Sequence, residues 1–490
     1  MVIAACSSDD SSSDDVDSPS DDTSPASEPT AATADSTPAG TERERTTTAA
    51  TTTETTPTTE PPAPRCGDGI EPSGPVELRL VHTLSGDVAK YYFPDVVARF
   101  EEQHPGIKVE VVKADLTEAG GLADVFTSEG TPPDVVLGTN LLVREQIDSG
   151  AFLPVEDCAG GGLPPGLTGL LPAVETTYTY DGTLWAAPYN VSTPLLMYDG
   201  NVWTRAGLDP DDPPTTIAEL LETARALDES GVVDTGMVLY DKSALWLLTE
   251  TAAKQGRLLM EPDNGRAPRI DTIELVDDGT IALLEEMRQM KQQGLIAWAG
   301  LNADNQTDLV MLVAPAETTG LTLHTSASLG DIFRLDDSEL LRDVDVRVAP
   351  LPGPGPGASP GGGALWLVDG VDDDRVSASW QLIDWLTQPE RIAELAAYTG
   401  YVPTTPAAVE HPITVESWQL HPQLRVAYDQ VADTPGTFAA TGIQVGSMAQ
   451  VLRAIEIGVA GAVDGNQDPA TTMRVADDSV RSVLEAYGQL

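Results

Sequence analysis

The sequence predicts an α/β fold organised around a mainly parallel sheet, and three observations carry that reading. From Val76 to Leu137, short apolar runs alternate with amphipathic stretches in the order strand, helix, strand, helix, strand, which is the spacing of βαβ units. The stretch from Ala187 to Leu227 sets a buried strand, Leu195 to Tyr198, ahead of two helices with explicit start signals. Ahead of all this, residues 7–65 hold Ser, Thr, Asp, Pro and Ala with almost no large apolar side chain. Such a segment does not bury enough surface to offset the entropy of ordering.

In chain order, residues 7–75 are expected to form a disordered linker whose Thr/Pro tract supplies reach. Glu77 to Val81 alternates like an edge strand, and a helix from Pro94 buries Val96, Val97 and Phe100 before breaking at His104-Pro105-Gly106. Ile107 to Val112 is a strand, Leu116 to Ser128 a helix, and Pro133 to Leu137 a strand. Ligands of such sheets bind beyond the carboxyl ends of the strands, so His82, Thr83, Thr139, Asn140 and the loop at Leu116 share one rim. Asp199 caps a helix ending at Ala206, with Gly207 in the left-handed position. Thr216 and Glu219 form a capping box, and the helix behind them turns Leu220, Leu221, Ala224 and Leu227 inward. Further on, Gly236–Tyr240, Asp308–Val313 and Val344–Pro350 read as strands. Ser243–Ala253, Ile281–Gln293, Val376–Leu386, Pro389–Tyr398 and Pro469–Tyr487 read as helices.

Formal net charge is −50, from 77 acids against 27 bases, which argues against nucleic acid as a partner because both would be polyanions. No apolar stretch is long enough to span a bilayer. Enzyme chemistry finds little support. GASPG at 357–361 satisfies G-x-S-x-G, but the residue after Ser359 is Pro360, which lacks the N–H that an oxyanion hole needs. There is no HExxH, no CxxC and no P-loop, and His82, His104, His324, His411 and His421 lack zinc-like spacing. The expectation is therefore no enzyme, no cofactor and no metal.

Cys6 follows VIAA and resembles the tail of a bacterial lipobox, so residues 1–6 read as the remnant of a truncated lipoprotein signal. On that reading Cys6 receives lipid, while Cys66 and Cys158 pair outside the cell.

Several phrases together resemble one family. They are LVHTLSG at 80–86, FEEQHPGIKV at 100–109, GTPPD at 130–134, PYNVSTP at 188–194, GGGALWLVDG at 361–370, TGYVP at 399–403 and GSM at 446–448. In this order they are similar to the extracellular solute-binding proteins of ABC importers, nearest to the subfamily binding glycerol-3-phosphate and glycerophosphodiesters. The resemblance covers about Val76 to Leu490. It implies a two-lobe periplasmic-binding-protein-like clamp with hinge crossings, lobe 1 being 76–187 and 364–408 and lobe 2 being 188–363 and 409–490. It further implies Ser192, Gly362 and Tyr401 as ligand contacts, with Thr325 or Ser326 supplying one hydroxyl. Asn140 stands where relatives carry an acidic residue, Trp246 is about one residue out of register with the family's tryptophan, and His82 lies on the opening loop. The relatives' phosphate-gripping arginine aligns with Leu452, one residue from Arg453, and one residue rotates a helix by about 100°. The implied partners are a small solute, ABC permease subunits with a separate ATPase, and the membrane through a lipid anchor at Cys6. The chain is expected to be a monomer on the extracellular face of the cytoplasmic membrane. The same fold binding another mono- or oligosaccharide, and a surface sensor without transport, stand as alternatives.

Overall fold

The computed structural model describes residues 65–67, 69–117, 121–127, 131–160, 162–300, 307–313, 318–337 and 344–490. The expectations for Cys6, its signal remnant and the linker up to residue 64 lie outside them, but the linker ends sooner than residue 75: Arg65 pairs with Asp373 at 2.6 Å, the Ser73 amide donates to Asp374 at 2.9 Å and the Ser377 hydroxyl donates to the Ile70 carbonyl at 2.6 Å, which fastens this stretch to the helix Asp373–Leu386.

Two sheets organise the chain. The first has the order Ile107–Lys113, Val76–His82, Val135–Thr139, Gly363–Val368, Phe152–Leu153, with Ala187–Pro188 also paired to Gly363–Val368. Its first three strands are parallel, as βαβ spacing requires. Gly363–Val368 returns from far along the chain and runs antiparallel to its neighbours, so the sheet is mixed. Val76–His82 is interior, not the edge strand its alternation suggested. The polar Arg79 in mid-strand is accommodated by its neighbours: its guanidinium lies 3.7 Å from Glu110 on the adjacent strand and donates to the Thr131 carbonyl at 2.6 Å.

The second sheet has the order Ile296–Trp298, Met237–Leu239, Leu321–Thr325, Pro194–Asp199, Val346–Pro350. Pro194–Asp199 is buried along its whole length. Leu195 and Met197 face the core shared with the first sheet, while Leu196 and Tyr198 face a second core built from later helices. A strand covered on both faces reads as a continuous apolar run, which is why it was legible. The Asp199 carboxylate accepts from the Asn201 and Val202 amides, Gly207 is left-handed, and the Thr216–Glu219 capping box is complete.

Two expected elements differ. Thr307–Val313 is an α-helix, not a strand. Leu309, Leu312 and Val313 are buried while Val310 is 57% exposed, a helical period that an unbroken apolar run conceals. Of the helix expected from Leu116 to Ser128, Gly121–Thr127 is helical and Leu116 is a buried loop residue, while residues 118–120 and 128 lie outside the described ones.

The two sheets are joined where three segments cross. Tyr189 and Asn190 donate backbone hydrogen bonds to the Gly363 carbonyl at 3.0 and 3.3 Å, and Ser192 exchanges a pair with Gly361 at 3.1 and 2.8 Å. Val402 donates to the Val191 carbonyl at 2.7 Å, bringing the third segment alongside. Gly362 has φ +93°, and a Cβ there would lie 1.9 Å from the Asn190 carbonyl oxygen. Far from the crossing, a disulfide joins Cys66 to Cys158 across a sequence separation of 92.

Candidate functional site

A cavity of about 1110 Å³ opens at the crossing and is lined from both sheets. The first sheet's rim contributes Thr83, Thr139 and Asn140. The crossing contributes Ser192, Gly361 and Gly362, and the far wall carries Trp246, Thr325 and Arg453. The wall is thus largely apolar, including the Trp246 and Tyr401 rings, with hydroxyl, amide and backbone groups set into it. That is the composition of a site for a polar, hydroxylated small molecule.

Local structure explains how each group is held. Asn140 donates its backbone N–H to the Gly362 carbonyl at 2.8 Å, which fastens the glycine run to the end of Val135–Thr139. Thr139 caps the following turn by accepting from the Leu141 amide. The Tyr401 hydroxyl accepts a hydrogen bond from the Asn190 side chain, and burial raises its pKa against that bond. Tyr401 follows left-handed Gly400 and its amide donates to the Thr399 hydroxyl, so a local turn aims it at the cavity.

Thr325 and Ser326 shared one expectation, and their positions now separate them. Thr325 lines the cavity while accepting from the Ala327 amide. Ser326 is fully buried behind it, where its hydroxyl accepts from the Thr193 amide at 3.2 Å. It is a hinge brace and does not line the cavity. Trp246 lines the cavity with one face and packs on the second core with the other, its ring 6.0 Å from Tyr240. Leu452 and Arg453 both border the cavity, so the one-residue offset does not turn the arginine away.

His82 does not reach the cavity. It is 3% exposed, its ring meets Phe93 edge-on, and Nδ1 accepts from the Leu84 amide at 3.2 Å. Burial, and after it the charge of Lys113, pushes its pKa down to about 4. The ring is therefore a neutral acceptor that shapes the opening loop. The unfolded chain takes up a proton near pH 6.5 that the folded ring refuses, so stability falls as pH drops from 6.5 towards 4. A His82→Asn variant keeps an acceptor for Leu84 and never charges. Its chemical denaturation midpoint should lose part of that acid slope, worth about 1–2 kcal/mol.

Sequence reasoning missed several groups. Glu250 is buried on the helix Asp241–Lys254, and its carboxylate accepts from the Ser359 amide at 2.8 Å. One turn on, Lys254 donates to the Leu351 and Gly355 carbonyls at 2.9 and 3.0 Å. Together they stake down the proline- and glycine-rich loop that ends at Gly361. Burial raises the Glu250 pKa and lowers that of Lys254. The visible signal was a charged residue inside an otherwise apolar helix face. Ser359 itself donates its hydroxyl to the Ala440 carbonyl at 3.0 Å, a structural bond consistent with rejecting the elbow motif. Among the described residues no His, Cys, Asp and Glu group has metal-holding geometry, and no helix is long and apolar enough to cross a membrane.

Comparison with known proteins places these features. A family described as bacterial extracellular solute-binding protein matches residues 95–424. The sn-glycerol-3-phosphate-binding periplasmic protein UgpB of Yersinia enterocolitica is 26% identical over 436 residues, covering 84% of this chain and 93% of that protein. Its counterpart from Salmonella typhimurium is 26% identical over 423 residues, covering 83% and 92%. UgpB from Mycobacterium tuberculosis, solved in complex with glycerophosphocholine, has a TM-score of 0.67 at 21% identity, covering 85% of this chain and 99% of that one. The sugar-binding protein MalE from Xanthomonas citri has a TM-score of 0.66 at 22% identity, covering 84% and 98%. The fold is therefore the α/β clamp of periplasmic binding proteins. With its family matched over most of the described residues, the chain belongs to the bacterial extracellular solute-binding proteins.

Proposed function

We propose that this solute-binding protein captures a glycerophosphodiester, or a similarly hydroxylated solute, between two lobes and delivers it to the permease of an ABC importer. The observation that carries the reading is that Ser192, Gly362 and Tyr401 border the same cavity as Arg453 and Trp246. Hydroxyl and backbone groups at the crossing suit the glycerol end, and the Arg453 guanidinium suits a phosphate oxygen. The names of the relatives, sn-glycerol-3-phosphate-binding protein and a complex with glycerophosphocholine, support the same chemistry.

The lobes are 76–187 with 364–408 and 188–363 with 409–490, and a ligand touching both shifts the open–closed equilibrium by its greater affinity for the closed form. The ATPase is a separate partner chain. Cys6 carries the lipid anchor, residues 7–64 are the tether, and the protein works as a monomer on the outer face of the cytoplasmic membrane. A sugar remains a second reading, favoured by the Trp246 face in the cavity, since an indole stacks well on C–H surfaces.

Calorimetry separates the two. Arg453→Ala should weaken a glycerophosphodiester by about ten- to a hundredfold, the worth of a charge-assisted hydrogen bond, and leave maltose within about twofold. Tight maltose binding with no response to the diester would select the sugar reading.

A further inference from the structure

Arg453 does not face the cavity as a lone cation. Its Nη1 lies 3.5 Å from Asp241 Oδ2 and 3.5 Å from Glu456 Oε2. Glu456 is 8% exposed and sits one turn along the same helix, Met448–Val463, while Asp241 is 2% exposed and opens the helix Asp241–Lys254. Both distances are longer than a hydrogen bond, and Nη1 is buried without a hydrogen-bond partner. The carboxylates therefore offset the guanidinium's charge from its buried side, while the rest of the side chain stays exposed to the cavity. Lys242 is the other cation facing this end of the cavity. Arg453 and Lys242 thus stand against Glu456 and Asp241, with the Glu250 carboxylate also in the lining, so the cations are already offset before any solute arrives.

We propose that Glu456 and Asp241 limit the negative charge a solute brings to Arg453, favouring a singly charged phosphodiester over a doubly charged phosphate monoester. A diester places one negative charge against the exposed part of the Arg453 guanidinium. A monoester dianion places a second beside two carboxylates in a partly desolvated site, where like charges repel most strongly. Burial, followed by the charge of Asp241, raises the Glu456 pKa, in keeping with a site already crowded with negative charge. The inference rests on the reading above only for the solute's identity; the charge arrangement at Arg453 stands apart from it.

The test uses inorganic phosphate as the probe, so it does not depend on knowing the solute. At about pH 8 the probe is mostly a dianion. Glu456→Gln keeps the side chain's shape and removes its charge, and should bind phosphate about tenfold more tightly than the unmodified protein. Asp241→Asn should move affinity the same way. Adding Arg453→Ala to Glu456→Gln should abolish the gain, and affinity for neutral maltose or for glycerophosphocholine should change much less than affinity for phosphate. Equal phosphate affinity with and without Glu456→Gln, or a gain that survives loss of Arg453, would overturn the proposal. Absence of any glycerophosphodiester binding to the unmodified protein would instead overturn the reading of its solute.

Discussion

Replacing Gly362 by alanine should cost the fold about 3–5 kcal/mol, the sum of left-handed backbone strain and overpacking. Gly362 has φ +93°, and the new methyl would lie 1.9 Å from the Asn190 carbonyl oxygen, 2.8 Å from its carbon and 3.1 Å from the Val191 Cα. All three are backbone atoms, so no side chain can swing aside. Nor can either strand back away. The Gly362 carbonyl is held by Asn140, and on either side of it Gly361 and Gly363 are bonded to Ser192, Tyr189 and Asn190. Solute affinity should fall with stability, because the crossing forms the cavity floor. Gly370 supplies the control: its φ is +81°, but a Cβ there meets nothing within 4 Å. Gly370→Ala should cost only about 1 kcal/mol. Urea denaturation of both variants reads the difference directly, and equal losses would mean that the close approach at the crossing is not what requires glycine.

Removing the disulfide should have the next largest effect. Cys66 and Cys158 are both buried, and their bond closes a loop with a sequence separation of 92. On the chain-entropy argument a loop of that length restricts the unfolded ensemble by about 4 kcal/mol. The bond ties the segment that leads into the first strand to the turn Val155–Cys158, and neither cysteine lines the cavity. The double variant Cys66→Ser/Cys158→Ser should therefore melt at a lower temperature while keeping its solute affinity. Reductant should lower the melting point of the unmodified protein towards that of the variant and leave the variant where it is. A melting point insensitive to reductant in both would mean that the bond contributes little.

What the residues disclosed on their own follows a physical division. Helix starts such as Asp199 and Thr216–Glu219 depend on side chains bonding to backbone within a few positions, and the left-handed stop at Gly207 on the absence of a Cβ. They are readable from neighbours alone. The doubly covered strand Pro194–Asp199 announced itself by its apolar run. Position relative to the cavity is a different matter. His82 ends a strand whose last residues are buried, and its ring turned into the core beside Phe93. Thr325 ends the strand Leu321–Thr325 and Ser326 opens the 3-10 turn after it, so which of the two faces the cavity is decided where strand gives way to turn. Charge pairing across the chain was invisible altogether. Glu250 bracing Ser359, and Asp241 approaching Arg453, join residues more than a hundred positions apart. No local pattern encodes those partners. The family phrases marked segments that meet at the crossing because they preserve backbone geometry there, whereas at Arg453 the offset of one residue left both Leu452 and Arg453 bordering the cavity.

A crystal structure of the protein grown with a glycerophosphodiester tests whether solute is held between the two lobes. Density should lie inside the cavity, touching Ser192, Gly362 or Tyr401 at the crossing and Arg453 or Trp246 on the opposite wall at once. Solute bound on one sheet's outer surface, or contacting one wall while the other stays apart, would contradict capture by a closing clamp.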